Sequence, residues 1–209
     1  MSEIILQGSE EWDRLRCGLI TASKATDFQQ KGQGVGYDNY MAQLVCERLT
    51  GCKTETFKNA YMERGNEDEP LARLCYEFET GYTVEQVAFV QHPIYDFMGM
   101  SPDGLIGSVG IVELKRKIPA IHIKYIFKGV VPTEYRKQMI FQLACCPNRE
   151  WNHFASYCPE LPENMQLFQA PKMYRDDVKE EIKATEDAAI VFNGAVNRLI
   201  EDLKAACNK

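Results

Sequence analysis

The stretch from Ser101 to Lys115, with Ser-Pro-Asp-Gly-Leu-Ile at one end and Ile-Val-Glu-Leu-Lys at the other, constrains the fold more than any other. It reads as two short strands joined by a turn. Asp103 ends the first, just after the apolar run from Phe97 to Met100, and Glu113 and Lys115 lie in the second. Residues two apart in a strand point the same way, so Glu113 and Lys115 share one face while Val112 and Leu114 turn to the other, toward the core. A hairpin turning around Ile106 to Gly110 lets Asp103 reach the face of Glu113. Two carboxylates and a lysine then converge. Such a pair suits Mg2+, which prefers oxygen ligands and keeps several waters. A bound metal lowers the pKa of water and neutralises phosphoryl oxygens. The alternative is a surface hairpin with an ordinary Glu/Lys pair, so the rest of the chain has to decide.

The 209 residues suit a single domain with a core of useful size, and a composition of 45% hydrophobic and 26% charged residues is that of a globular chain. The formal net charge of −6 argues against a generally sticky nucleic-acid binder, yet it allows a local basic channel inside an acidic exterior. The eight cysteines include no C-x-x-C pair, which argues against zinc or an iron–sulfur cluster. They read as reduced, mostly buried thiols of a cytoplasmic protein. No apolar run is long enough for a membrane span, and Met1 to Leu6 does not resemble a secretory signal.

Along the chain, Ser9 caps an expected helix over 10–17 and Thr21-Ala22-Ser23 starts a second, short one. The glycine-rich segment 29–39 reads as a loop; no Gly-Lys-Ser/Thr follows it, so it is not a nucleotide-binding loop. Asp38 is expected to cap a helix whose stripe is Met41, Leu44, Val45 and Leu49, ending at Gly51. Residues 59–80 are helical in pattern, with Leu71, Leu74, Cys75 and Phe78 as the apolar face and Pro70 marking a bend or a new first turn. A strand is expected over 82–90, a helix over 120–128, and a helix over 133–146 with Thr133 as cap and with Gln138 and Gln142 on one face. Strands over 150–157 and 165–170 precede a helical tract over about 175–207.

Two blocks resemble known families. Pro102-Asp103 … Glu113-Leu114-Lys115 is similar to the PD-(D/E)xK nuclease motif. The segment from Gln7 to Ser23 resembles the amino-terminal signature of the phage lambda exonuclease-like viral recombinases. The resemblance implies an α/β fold with a restriction-endonuclease-like core, a central mixed sheet flanked by helices, forming one nuclease domain over 1–209. It implies that Asp103, Glu113 and the Leu114 carbonyl bind Mg2+, with Mn2+ as a substitute, and that Glu69, with Glu67 as rival, approaches a second metal. Lys115 would position water, and Gln138 occupies the place of the family glutamine near the metal. Arg16 and Ser23, with Thr21 as a further candidate, would hold the 5′-phosphate of a DNA end, a task suited to the forked guanidinium.

The function so implied is a 5′→3′ exodeoxyribonuclease on linear double-stranded DNA that leaves 3′ overhangs for recombination. A homotrimer ring and a single-strand annealing protein would be its partners. A site-specific endonuclease of the same fold and a non-catalytic DNA-end-binding module are the alternatives.

Overall fold

The computed structural model describes residues 5–30, 34–54 and 60–207, with the backbone alone over 60–67. The chain opens with α1 (Glu10–Arg16), whose cap is Ser9: its hydroxyl accepts from the Trp12 N–H. Strand β1 (Ile20–Thr21) passes through a 3-10 turn at Ala22–Lys24 into α2 (Ala25–Phe28). Helices α3 (Val35–Thr50) and α4 (Ala60–Thr80) follow. Next come β2 (Val84–Glu85), β3 (Val90–Gln91), β4 (Met98–Met100), β5 (Gly104–Ile106) and β6 (Gly110–Arg116). The second half contains α5 (Pro119–Lys128), α6 (Thr133–Cys145), β7 (Trp151–Tyr157), β8 (Leu167–Gln169), β9 (Met173–Tyr174) and α7 (Lys179–Cys207).

Among the described residues the larger sheet runs β2-β5-β6-β7-β8, with β9 also on β7. It is mixed: β5 and β6 form an antiparallel hairpin with Gly104 opposite Val112, while β6 and β7 run parallel with Glu113 beside Phe154 and Lys115 beside Ser156. A βαβ crossover through α5 and α6 supplies the parallel pair. Helices cover both faces, which is why every residue of β7 is buried. Ile111 and Phe154 join the core that contains α6 and α7, and Val112, Leu114 and Ala155 pack with Tyr76 of α4 on the other side. The expected mixed sheet flanked by helices is therefore present.

Several local expectations are corrected. The run Phe97 to Met100 does not pair with β6. Strand β4 belongs to a small second sheet, β1-β4-β3, parallel to β1 with Thr21 beside Gly99. Pro102, which has no N–H to give a ladder, lies between the two sheets, and Asp103 sits at the entry to β5. The strand expected over 82–90 is instead two short pieces, β2 and β3, in different sheets. Helix α3 starts a turn early, at Val35 after Gly34, because Tyr37 and Tyr40 extend its buried stripe onto Phe192 of α7; Asp38 is in its first turn and Leu49 is exposed.

Among the described side chains of α4 the buried ones are Ala72 and Tyr76, whose hydroxyl donates to His153 Nδ1 at 2.6 Å; Leu71, Leu74 and Phe78 face solvent, and Pro70 is accommodated inside a continuous helix. Pro132, not Thr133, is the cap of α6. Residues 163–165 form a 3-10 turn ahead of β8. All eight cysteines are free, but only Cys145, Cys146 and Cys158 are buried. Among the described residues no helix is long and apolar enough to cross a membrane.

Candidate active site

Asp103, Glu113 and Lys115 meet on the α6 face of the hairpin. Lys115 Nζ lies 3.0 Å from Asp103 Oδ2 and 2.5 Å from Glu113 Oε1. The Leu114 N–H donates to Asp103 Oδ2 at 2.8 Å, so strand backbone fixes that carboxylate. Glu113 has no exposed surface. Two amides from α6 satisfy it: Gln138 Nε2 donates to Oε1 at 2.6 Å and Gln142 Nε2 to Oε2 at 2.5 Å. A buried carboxylate persists only with such partners. The helix supplies them because residues four apart share a face.

The electrostatics follow from burial first and from the crowding of charge second. Burial, and after it the charge of Asp103, raises the Glu113 pKa, with Lys115 opposing. Burial favours loss of the Lys115 proton, but the charges of Asp103 and Glu113 more than offset it and hold the ammonium above its ordinary pKa. Glu69, on α4, is raised by burial and then by Asp103, which places its carboxylate within electrostatic reach of the same centre. Its oxygen is held by Arg73 at 2.8 Å.

Among the described residues no three His, Cys, Asp or Glu side chains close on one point as a ready metal cage. The donor set nevertheless suits a hard divalent cation. Asp103 and Glu113 aim oxygens at a single positive charge, and Glu69 adds a third carboxyl whose pKa is raised by burial and then by Asp103. Glu67 lies outside the described side chains.

The amino-terminal block is tied to the same place. The Arg16 guanidinium lies 4.0 Å over the Trp12 ring, and its Nε is buried without a partner. Trp12 Nε1 donates to Ser101 Oγ at 2.8 Å and to the Ala88 carbonyl. Gln7 Nε2 donates to the Pro102 carbonyl at 2.8 Å. Helix α1 and the segment before it are thus bonded to the two residues that precede Asp103. Ser23 is exposed in the turn after β1, whereas Thr21 is buried and its N–H donates to the Tyr40 hydroxyl.

Other basic and histidine residues are engaged elsewhere. Arg116 is held between Asp68 and Glu160, and Lys117 by the Tyr135 hydroxyl. His122 is a core residue that accepts from Ser156 Oγ and donates to the Met165 carbonyl. Gln142 was visible in the sequence only as the helical neighbour of Gln138. Asn152, which donates to Gln142 Oε1 at 2.6 Å, gave no signal, since its strand reads as uniformly buried.

A mixed sheet with an Asp–Glu–Lys centre at one hairpin, overlaid by an amino-terminal helix, defines an α/β protein of the phage-exonuclease architecture. A phage-related exonuclease from Haemophilus somnus has this fold, with a TM-score of 0.62 at 13% identity over 88% of this chain and 96% of its own. An alkaline exonuclease from Laribacter hongkongensis is 40% identical, with a TM-score of 0.87 over 96% of this chain and 98% of its own. A structure of that exonuclease in complex with dAMP matches equally. No curated protein sequence matches the chain. Residues 11–149 match the YqaJ-like viral recombinase domain, and the chain belongs to that family.

Proposed function

We propose that the chain is a Mg2+-dependent exodeoxyribonuclease that digests one strand of linear double-stranded DNA from its 5′ end and leaves a 3′ single-stranded overhang. The observation that carries this reading is the convergence of Asp103, Glu113 and Lys115 beside the Arg16–Trp12 pair that α1 fastens to Ser101. The likeness to an alkaline exonuclease supports it, as does the dAMP complex of that protein, because a deoxynucleoside monophosphate is what an exonuclease releases.

Asp103, Glu113 and the Leu114 carbonyl would hold Mg2+ or Mn2+, with Glu69 toward a second position. When bound, such a metal lowers the pKa of water and offsets charge on the phosphoryl group. Lys115, kept protonated by its two carboxylates, acts as a hydrogen-bond donor that orients the attacking water and counters phosphate charge. Gln138 and Gln142 keep the Glu113 carboxylate in one plane. Arg16, with the exposed Ser23 rather than the buried Thr21, grips the terminal 5′-phosphate, and this anchor sets the polarity by placing the first phosphodiester at the carboxylates.

The proposed assembly is a homotrimer ring around the duplex. Supporting it are two exposed apolar faces of opposite charge. Leu71, Leu74 and Phe78 on α4 lie beside Glu79, and Ile123, Phe127 and Val130 on and after α5 lie beside Lys124 and Lys128. Different faces meeting head to tail close a ring when the rotation allows. An enclosed channel reconciles DNA binding with a net charge of −6. A single-strand annealing protein would receive the overhang.

The deciding experiment uses linear duplex labelled at either end, with and without a 5′-phosphate, in Mg2+ and in chelator. The expected outcome is mononucleotide release from the 5′ label first, faster on phosphorylated ends, and none in chelator. Cutting of closed plasmid would instead indicate an endonuclease, and binding without release an end-binding module.

A further inference from the structure

Glu113, Gln142 and Asn152 are each without exposed surface and lie in a line across β6, α6 and β7. Asn152 Nδ2 donates to the Met139 carbonyl at 3.2 Å and to Gln142 Oε1 at 2.6 Å. Gln142 Nε2 then donates to Glu113 Oε2 at 2.5 Å. The direction of this chain is forced. Both acceptors that meet the Asn152 amide are carbonyl oxygens, so turning that amide over would set oxygen against oxygen. With its own oxygen held by Asn152, Gln142 can present only its NH2 to Glu113. Asn152 Oδ1 is left buried without a partner. A buried acceptor left unpaired is costly, and a native fold that retains one calls for an explanation.

We propose that Asn152 and Gln142 are positioning residues, a buried amide relay that fixes the ionised Glu113 carboxylate for divalent cation. The inference rests on the nuclease reading and goes beyond it. Neither side chain touches substrate; Asn152 acts through Gln142, and Gln142 through Glu113. Gln138 holds the other oxygen of Glu113 from the same helix but has no part in the relay. Partners of a metal ligand orient it and tune its affinity in this way.

Asn152→Asp exchanges the donor for an acceptor at constant shape. Gln142 must then turn its carbonyl toward Glu113. The expected result is a loss of Mn2+ affinity, read by titration calorimetry, on the order of ten- to a hundredfold. The kcat should fall with it, while KM and duplex binding in chelator hold. Since a buried aspartate can prevent folding, Gln142→Met is the second variant; it keeps length and removes the amide. It should show the same loss, and adding Asn152→Ala to it should cost nothing more, because the two act in series.

Folded variants with Mn2+ affinity within about twofold of wild type overturn the relay, as do losses that simply add. If the wild type binds Mn2+ and digests DNA while the variants match it, the relay alone falls. If the wild type takes up no divalent cation and releases no nucleotide, the nuclease reading falls and the relay with it.

Discussion

Glu113 is fully buried beside a second carboxylate, so its charge is the one the site must hold against its surroundings. Glu113→Gln keeps the shape and removes the charge. Nucleotide release should fall on the order of a thousandfold, and duplex binding in chelator should persist; single-turnover rates and fluorescence anisotropy measure the two. Acidity should act through the same group. Burial first and Asp103 second raise its pKa above the ordinary value of 4.5. Protons should therefore compete with the proposed metal well above that value, and Mn2+ affinity should climb as pH rises, as calorimetry at about pH 6 and about pH 8.5 would record. The stability effect has the opposite sign. The folded state holds this proton more tightly than the unfolded state. Its contribution is complete below 4.5 and is lost as pH rises through the raised folded value. Metal-free protein should lose stability across that window and Mn2+ should restore it, as urea titrations with and without the ion would show.

The decisive element is the β5–β6 hairpin, and its tightest point is Gly104. A Cβ there would lie 2.0 Å from Val84 Cγ1 and 3.1 Å from Val112 Cγ1. The close approach holds β2 against β5 and sets where Asp103 enters the strand. Gly104→Ala should cost about 1–3 kcal/mol in urea denaturation, as overpacked sites do. It should also lower activity more than the lost stability explains, because Asp103 is the adjacent residue. Helix α4 illustrates the other side of element-scale reasoning. Its most hydrophobic stripe is not the one it buries, since Ala72 lets the helix sit close to the sheet and Tyr76 finds a polar partner in His153.

At the scale of the whole molecule, Phe78 and Phe127 are 87% and 90% exposed, which leaves two apolar faces without cover in a single copy. If the proposed trimer forms through these faces, Phe78→Asp should yield monomer in sedimentation velocity, with the monomer folded by circular dichroism. It should also reduce processivity on long duplex while initial cleavage near the end is less affected. A trimer that survives both Phe78→Asp and Phe127→Asp would place the contact elsewhere.

Residue spacing alone determined that Glu113 and Lys115 share a strand face and that Gln138 and Gln142 share a side of α6, whereas the mixed sheet around them was legible only through the resemblance to the nuclease family. The two shared faces are local consequences of a repeat of 2.0 or 3.6 residues. Tertiary structure decided what those periods cannot encode. It placed β4 in another sheet and brought α1 onto Ser101 through Trp12. It exposed the Leu71–Phe78 stripe and set Asn152 behind Gln142. Each of these depends on which distant surface an element meets, and one residue's chemistry is blind to its partner until the sheet has closed.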